Sequence, residues 1–130
     1  MRLWHYKLIP YLPKSQLIAQ WRELNSIYKK QDNHILINYI YEYDKSYLYT
    51  YSLLVIEEMN KRGYKINKWD NFNNYFSESD KILRGRMCEH NDQYLVICYY
   101  NLLEKYLRGQ TDFNYDLYLK LKKVKESLKK

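Results

Sequence analysis

Between Pro13 and Lys30 the spacing of apolar residues leaves little freedom. Leu17, Trp21, Leu24 and Tyr28 recur at intervals of four, three and four residues, the geometry of one buried stripe along an α-helix. Proline suits the opening position of such a helix, and Lys29 and Lys30 suit the negative end of its dipole. The predicted helix runs from about Pro13 to Lys30. Glu23 is off the stripe. It shares a polar or small-residue face with Gln16, Ala19, Gln20 and Ser26, three, four or seven residues away, where it meets solvent or a ligand. Arg22 sits at the border of that face. From periodicity alone, Arg22 and Glu23 read either as a solvated surface pair or as the polar centre of a site.

The remaining elements are read around that helix. Pro10 and Pro13 forbid an uninterrupted helix before Lys14, so residues 1–13 are expected to be a short extended segment. Gln31-Asp32-Asn33 is turn chemistry. Asp32 or Asn33 caps a short helical stretch through Ile35, Ile37, Ile40 and Tyr41, although the alternation of Tyr and Ile also allows a strand. From Asp44 or Ser46 to Arg62 the spacing is helical again, with Gly63 as C-cap. Residues 64–89 are polar and turn-rich, with a short helix at Asn71–Phe76 and room for a DNA-facing or variable loop. Asn91 or Asp92 opens a helix to Arg108 closed by Gly109, whose face is apolar enough, with Leu95, Ile97, Cys98, Leu102, Leu103 and Tyr106, to be the central packing partner of the first helix. Leu117, Leu121, Val124 and Leu128 form a last stripe, with Lys120, Lys122, Lys123, Lys125, Lys129 and Lys130 opposite. That helix either docks and offers lysines to phosphates or frays as a solubilising end. The fold class is all-α: a single-domain helical bundle with an extended N-terminal segment reaching the first helix.

Composition bounds the function. A chain of 130 residues supports one core. Twenty-two Lys and Arg against fifteen Asp and Glu give a net charge of +7, compatible with a polyanionic partner but shared by many proteins without one. Seventeen tyrosines imply a core with hydrogen-bonded, wet edges, stacking surfaces for bases, or simple compositional drift. Two cysteines and three scattered histidines, His5, His34 and His90, follow no metal-ligand spacing, so no metal and no cofactor is expected. No stretch reads as a membrane span or a signal peptide, and a cytoplasmic protein with reduced thiols is expected.

Several stretches carry a resemblance. The run Gln16-Leu17-Ile18-Ala19-Gln20-Trp21-Arg22-Glu23-Leu24 resembles the signature of the pyrimidine-dimer DNA glycosylases, the endonuclease V-like family. The opening Met1-Arg2-Leu3-Trp4-His5 with Leu8-Ile9-Pro10-Tyr11-Leu12-Pro13 is similar to a bacterial branch of it. So are Asn33-His34 with Asn38, residues 57–64, and residues 94–106. The likeness spans residues 1–109, the expected glycosylase domain, with 110–130 as a basic amphipathic extension.

The resemblance implies base excision through an imine on double-stranded DNA, by a monomer, followed by strand cleavage at the abasic site. The N-terminal amine is the implied nucleophile. Residue 2 is arginine, too large for the usual removal of the initiator methionine, so that amine is expected to be the one on Met1. An α-amine, with a reference pKa of about 7.7–8.0, is far more available near neutral pH than a lysine at about 10.4. Glu23 is the implied catalytic carboxylate, and Arg2, Arg22 and His34 are the implied DNA contacts, with a structural role equally open for His34. A noncatalytic nucleic-acid-binding relative, or a glycosylase for a different modified base, is the alternative.

Overall fold

The computed structural model describes residues 2–129, the side chain of Lys129 excepted. Among these residues the chain forms α1 (Lys14–Lys29), α2 (Lys45–Lys61), α3 (Trp69–Tyr75), α4 (Asp92–Leu107) and α5 (Tyr115–Glu126), with short 3-10 segments at Tyr6–Tyr11, Asn38–Glu42, Glu78–Asp80 and Ser127–Lys129. The architecture is all-helical. Helix starts follow local capping: the side chains of Asp44, Asn91 and Asn114 each accept from a backbone N–H in the first turn of α2, α4 and α5, supplying donors that a bare helix end would leave unpartnered. Beyond α2 and α4 the chain turns at Gly63 and Gly109, with φ of 79° and 82°, values that favour glycine.

The α1 stripe is buried as its spacing requires, with Leu17, Trp21, Leu24 and Tyr28 all in the core. At roughly 1.5–3 kcal/mol per fully buried side chain, this stripe is a principal source of cohesion. Around it Trp21, Tyr28, Phe72, Tyr75 and Phe76 meet edge-on or tilted, contacts that favour aromatic quadrupoles beyond area alone. The Trp21 indole N–H also donates to the Asn67 carbonyl at 2.9 Å, which draws the α2–α3 connection onto α1.

Two expectations need correction. Helix α4 is not the chief partner of α1: α1 packs mainly on α2 and α3, while α4 packs mainly on α5 and the 3-10 segment Tyr6–Tyr11. The N-terminal segment causes this, because its buried Leu3, Trp4, Leu8, Ile9 and Leu12 supply the apolar surface that α4 was expected to find on α1. Ile97 of α4 accordingly stays half-exposed. The segment is also extended only as far as His5. The His5 ring accepts from the Lys7 N–H at 3.1 Å and so opens a 3-10 turn that accommodates Pro10.

The stretch after Asp32 resolves as a turn at residues 35–37 followed by the 3-10 segment Asn38–Glu42, not a strand. The N-cap of that segment is Ile37, with no side-chain cap, so neither Asp32 nor Asn33 caps it; Asp32 instead accepts from the His34 N–H at 2.9 Å, ahead of the turn. The C-terminal stripe docks: Leu121 is fully buried, with Leu117, Val124 and Leu128 packed against the core. Arg62, at the end of α2, ties the far end of the N-terminal segment by donating to the Leu12 and Pro10 carbonyls at 2.8 and 3.1 Å.

Candidate active site

The site begins with one amide. Gln20 is fully buried on α1, and its Oε1 accepts from the Trp4 backbone N–H at 2.8 Å. That contact fixes the amide's orientation, since an N–H needs an oxygen opposite it. Nε2 is then the donor, and it reaches the Arg2 carbonyl at 3.1 Å and Glu23 Oε2 at 3.0 Å. A single side chain thus joins the second residue of the chain to the carboxylate one helical turn along α1.

Two tyrosines hold the same segment from the other side. The Tyr51 hydroxyl of α2 lies 2.6 Å from the Trp4 carbonyl and 3.0 Å from Gln20 Oε1. From α4, the Tyr94 hydroxyl donates to the Leu3 carbonyl. Part of the tyrosine excess is therefore used to satisfy the backbone of residues 3 and 4 where it is buried away from water. Behind them His5 and His90 stack at 5.6 Å, and the Tyr39 hydroxyl bonds His90 Nε2 at 2.7 Å. Burial holds both rings neutral, lowering His5 to about 4 and His90 to about 3.

In front lies an open cleft of about 310 Å³ lined by Arg2, Trp4, Glu23, Leu36, Asn101 and Lys105. Burial raises the Glu23 carboxyl above the ordinary glutamate value, while the charge of Arg22 and the Arg2 backbone pull it back. The Arg2 guanidinium sits 5.9 Å from the Trp4 ring centre and 5.8 Å from that of Tyr94, a cation held on aromatic faces. Arg2 and Lys105 make the cleft attractive to anions, and Glu23 is the one carboxylate among the described residues that line it. A carboxyl group made harder to ionise, next to cations, is suited to accept and return a proton in an anion-binding cleft.

The implied site residues separate in space. Arg2 and Glu23 come together. Arg22 is exposed and lines a second cleft, of about 540 Å³, together with Lys29, Lys65 and Lys68. His34 is exposed, and its Nδ1 accepts from the Leu36 N–H at 3.1 Å. Met1 lies outside the described residues. Gln20, Asn101 and Lys105 were missed from the sequence. Its spacing puts Gln20 on the polar face with Glu23, expected to meet solvent or a ligand, whereas the amide is fully buried under the N-terminal segment; the signal available is its position one turn before Glu23. Asn101 and Lys105 share a helix face at a spacing of four, but nothing local pointed that face toward residue 23.

Residues 1–71, more than half of the chain, match a family model described as pyrimidine dimer DNA glycosylase. The chain belongs to the pyrimidine dimer DNA glycosylase family. No curated protein and no solved structure matches it. Within this family member the matched region contributes Arg2, Trp4, Gln20, Glu23 and Leu36, while Tyr94, Asn101 and Lys105 come from helix α4 beyond it. No helix among the described residues is long and apolar enough to cross a membrane.

Proposed function

We propose that this family member excises a damaged pyrimidine from double-stranded DNA through a Schiff base on its N-terminal amine and then cleaves the strand as an abasic-site lyase. The observation that carries this reading is the Gln20 amide, which holds the Arg2 carbonyl and the Glu23 carboxylate at once. Consecutive Cα atoms are about 3.8 Å apart, so a chain anchored at residue 2 beside Glu23 suits a reaction that needs the amine of the preceding residue at that carboxylate. Two further tethers, from Tyr51 and Tyr94, make the anchor stiff.

In this mechanism the unprotonated amine of Met1 attacks C1′ of the damaged nucleotide. The N-glycosidic bond breaks, and the base leaves with its bonding electrons and takes up a proton. Nitrogen gives up the proton that balances the one taken by the base; the C1′–O4′ bond then breaks as the nitrogen lone pair forms the C=N bond, and nitrogen's remaining proton goes to O4′, leaving the imine. Loss of a C2′ proton then expels the 3′ phosphate by β-elimination. As the carboxylate Glu23 stabilises the cationic sugar, and its raised proton affinity suits it to move protons in both stages. Arg2 holds phosphate, and Lys105 provides a second cation at the mouth. Arg22 and His34 extend the DNA contact outside the cleft. The lesion is selected because damaged pairs cost less to unstack and flip. Residues 1–109 are the catalytic unit in this reading, with α5 as a docked basic addition.

Borohydride trapping on a duplex with one abasic site tests the reading. A covalent protein–DNA adduct is expected from the native chain. It disappears when a tag is fused before Met1, and Glu23→Gln cuts strand cleavage by orders of magnitude while leaving DNA affinity nearly unchanged. Trapping that survives a blocked terminus would assign the nucleophile elsewhere.

A further inference from the structure

Beside the Glu23 cleft the chain presents two apolar side chains to water with no apparent packing reason. Ile35 is 80% exposed and Leu36 is 41% exposed, the former being the more exposed of any large hydrophobic residue among those described. Leu36 lines the cleft itself, with Arg2 and Lys105. The turn that carries them is stiff. His34 N–H donates to Asp32 Oδ1 at 2.9 Å, Leu36 N–H to His34 Nδ1 at 3.1 Å, and the Ile37 and Asn38 N–H groups to the His34 carbonyl at 3.0 and 2.9 Å. Behind the tip Ile37 and Ile40 are buried in the core, and the Asp32 N–H is fixed to the Tyr41 hydroxyl at 2.7 Å. A rigid, side-chain-bonded turn that holds an isoleucine out in solvent loses little entropy when it inserts into something apolar.

Resting on the glycosylase reading, we propose that Ile35 and Leu36 form a wedge that enters the base stack next to the lesion, where the duplex is unstacked beside the Glu23 cleft. Aliphatic side chains of this size are the kind that proteins drive between base steps to kink a duplex. The surroundings fit that occupant. The cations of the cleft rim meet the backbone phosphates on either side of an unstacked step, while the wedge touches only the apolar faces of bases. His34 takes a defined part in this arrangement: its ring and carbonyl hold the backbone of the tip, so it is a positioning residue for the wedge and not a catalytic one.

The test compares affinity for a duplex containing one stable abasic analogue with affinity for the same duplex undamaged, by fluorescence anisotropy, in the native chain and in Ile35→Ser, Leu36→Ser and the double variant. The exposed position of Ile35 predicts unchanged circular dichroism and thermal midpoint for its variant. The double variant is expected to lose roughly tenfold or more in affinity for the abasic duplex, the effect of withdrawing a large aliphatic side chain from an apolar site, with affinity for undamaged DNA within about twofold. Ile35→Met, which keeps an apolar tip, retains the preference. A 2-aminopurine placed opposite the abasic site brightens on binding of the native chain and much less with the double variant. A preference for the abasic duplex that is the same in all variants overturns the wedge and leaves the glycosylase reading standing. A native chain that neither prefers the abasic duplex nor traps on it overturns both.

Discussion

Replacing Gln20 by methionine keeps the length and nearly the volume of the side chain and removes every polar contact it makes. Four hydrogen bonds are lost, to Trp4 N–H, the Tyr51 hydroxyl, the Arg2 carbonyl and Glu23. The consequences are unequal. Tyr51 keeps the Trp4 carbonyl at 2.6 Å, and Glu23, being only half-buried, finds water. The Trp4 N–H is buried and has no other partner among the described residues, and Arg2 is a partly buried residue. One fully and one partly unsatisfied backbone group cost about 1–3 kcal/mol each, so a net loss of roughly 2–4 kcal/mol is expected after the small gain from burying a thioether. For a domain whose whole stability is on the order of 5–15 kcal/mol this is large. Urea unfolding reads it as a midpoint lowered by about 1–2 M at unchanged slope. Borohydride trapping, run in buffer where the variant is still folded, reads the second consequence: with the amide gone, the bridge from the Arg2 carbonyl to Glu23 is lost and only the Arg2 backbone contact with the carboxylate remains, and adduct yield falls at least about tenfold. Tyr51→Phe is the control. It removes one hydroxyl, leaves the Trp4 carbonyl short of that donor and keeps the bridge, so it loses about 1–3 kcal/mol and keeps most of its trapping. A Gln20→Met chain within about 0.5 kcal/mol of native and fully able to trap would refute the claim that this amide organises the site.

Other outcomes follow from the same geometry. His5 and His90 are held neutral well below the ordinary histidine value near 6.5, so at mildly acid pH the unfolded chain binds more protons than the folded one; stability is full above about pH 6.5 and falls as pH drops toward 4. Urea midpoints between pH 7 and 4 measure this, and His90→Gln should flatten the decline; an unchanged decline would place its cause elsewhere. Glu23 works in the opposite sense: its raised carboxyl gives the folded state the extra proton, so its charge costs stability as pH rises past the ordinary glutamate range. Glu23→Gln is therefore expected to melt above the native chain at pH 7, with the gap closing near pH 4. Arg62→Met loses the ties to the Leu12 and Pro10 carbonyls and strands Glu58, paired at 2.7 Å; about 1–3 kcal/mol should be lost in urea. DNA affinity should fall steeply with salt, and Lys105→Ala should lower the slope of log affinity against log salt by about one.

What the sequence made legible was local, and what it hid was where segments meet. The stripe Leu17, Trp21, Leu24, Tyr28 fixes α1 because helical periodicity is written in neighbouring residues, and Asp44, Asn91 and Gly63 mark ends because caps act within one turn. Glu23 could be singled out because its family resemblance also lies in a continuous run. Gln20 could not be valued in the same way. Its partners at Trp4 and Tyr51 are sixteen and thirty-one residues away, and a glutamine one turn before a glutamate reads as another surface polar until those partners are in place. The misassigned packing of α4 has the same origin. The apolar residues assigned to its packing face, other than Ile97, are buried or partly buried, but they meet the chain's own beginning, a segment whose two prolines suggest a connector. Because that beginning packs against α2, α4 and α5 and is tied to α1 through Gln20, residues 2–5 are held as firmly as a core element. For a reaction proposed to run on a terminal amine this is the decisive property. A terminus attached to a loose arm would sample the carboxylate only part of the time, whereas one attached to a packed arm starts each encounter already oriented, which is the larger part of what an intramolecular catalytic group contributes.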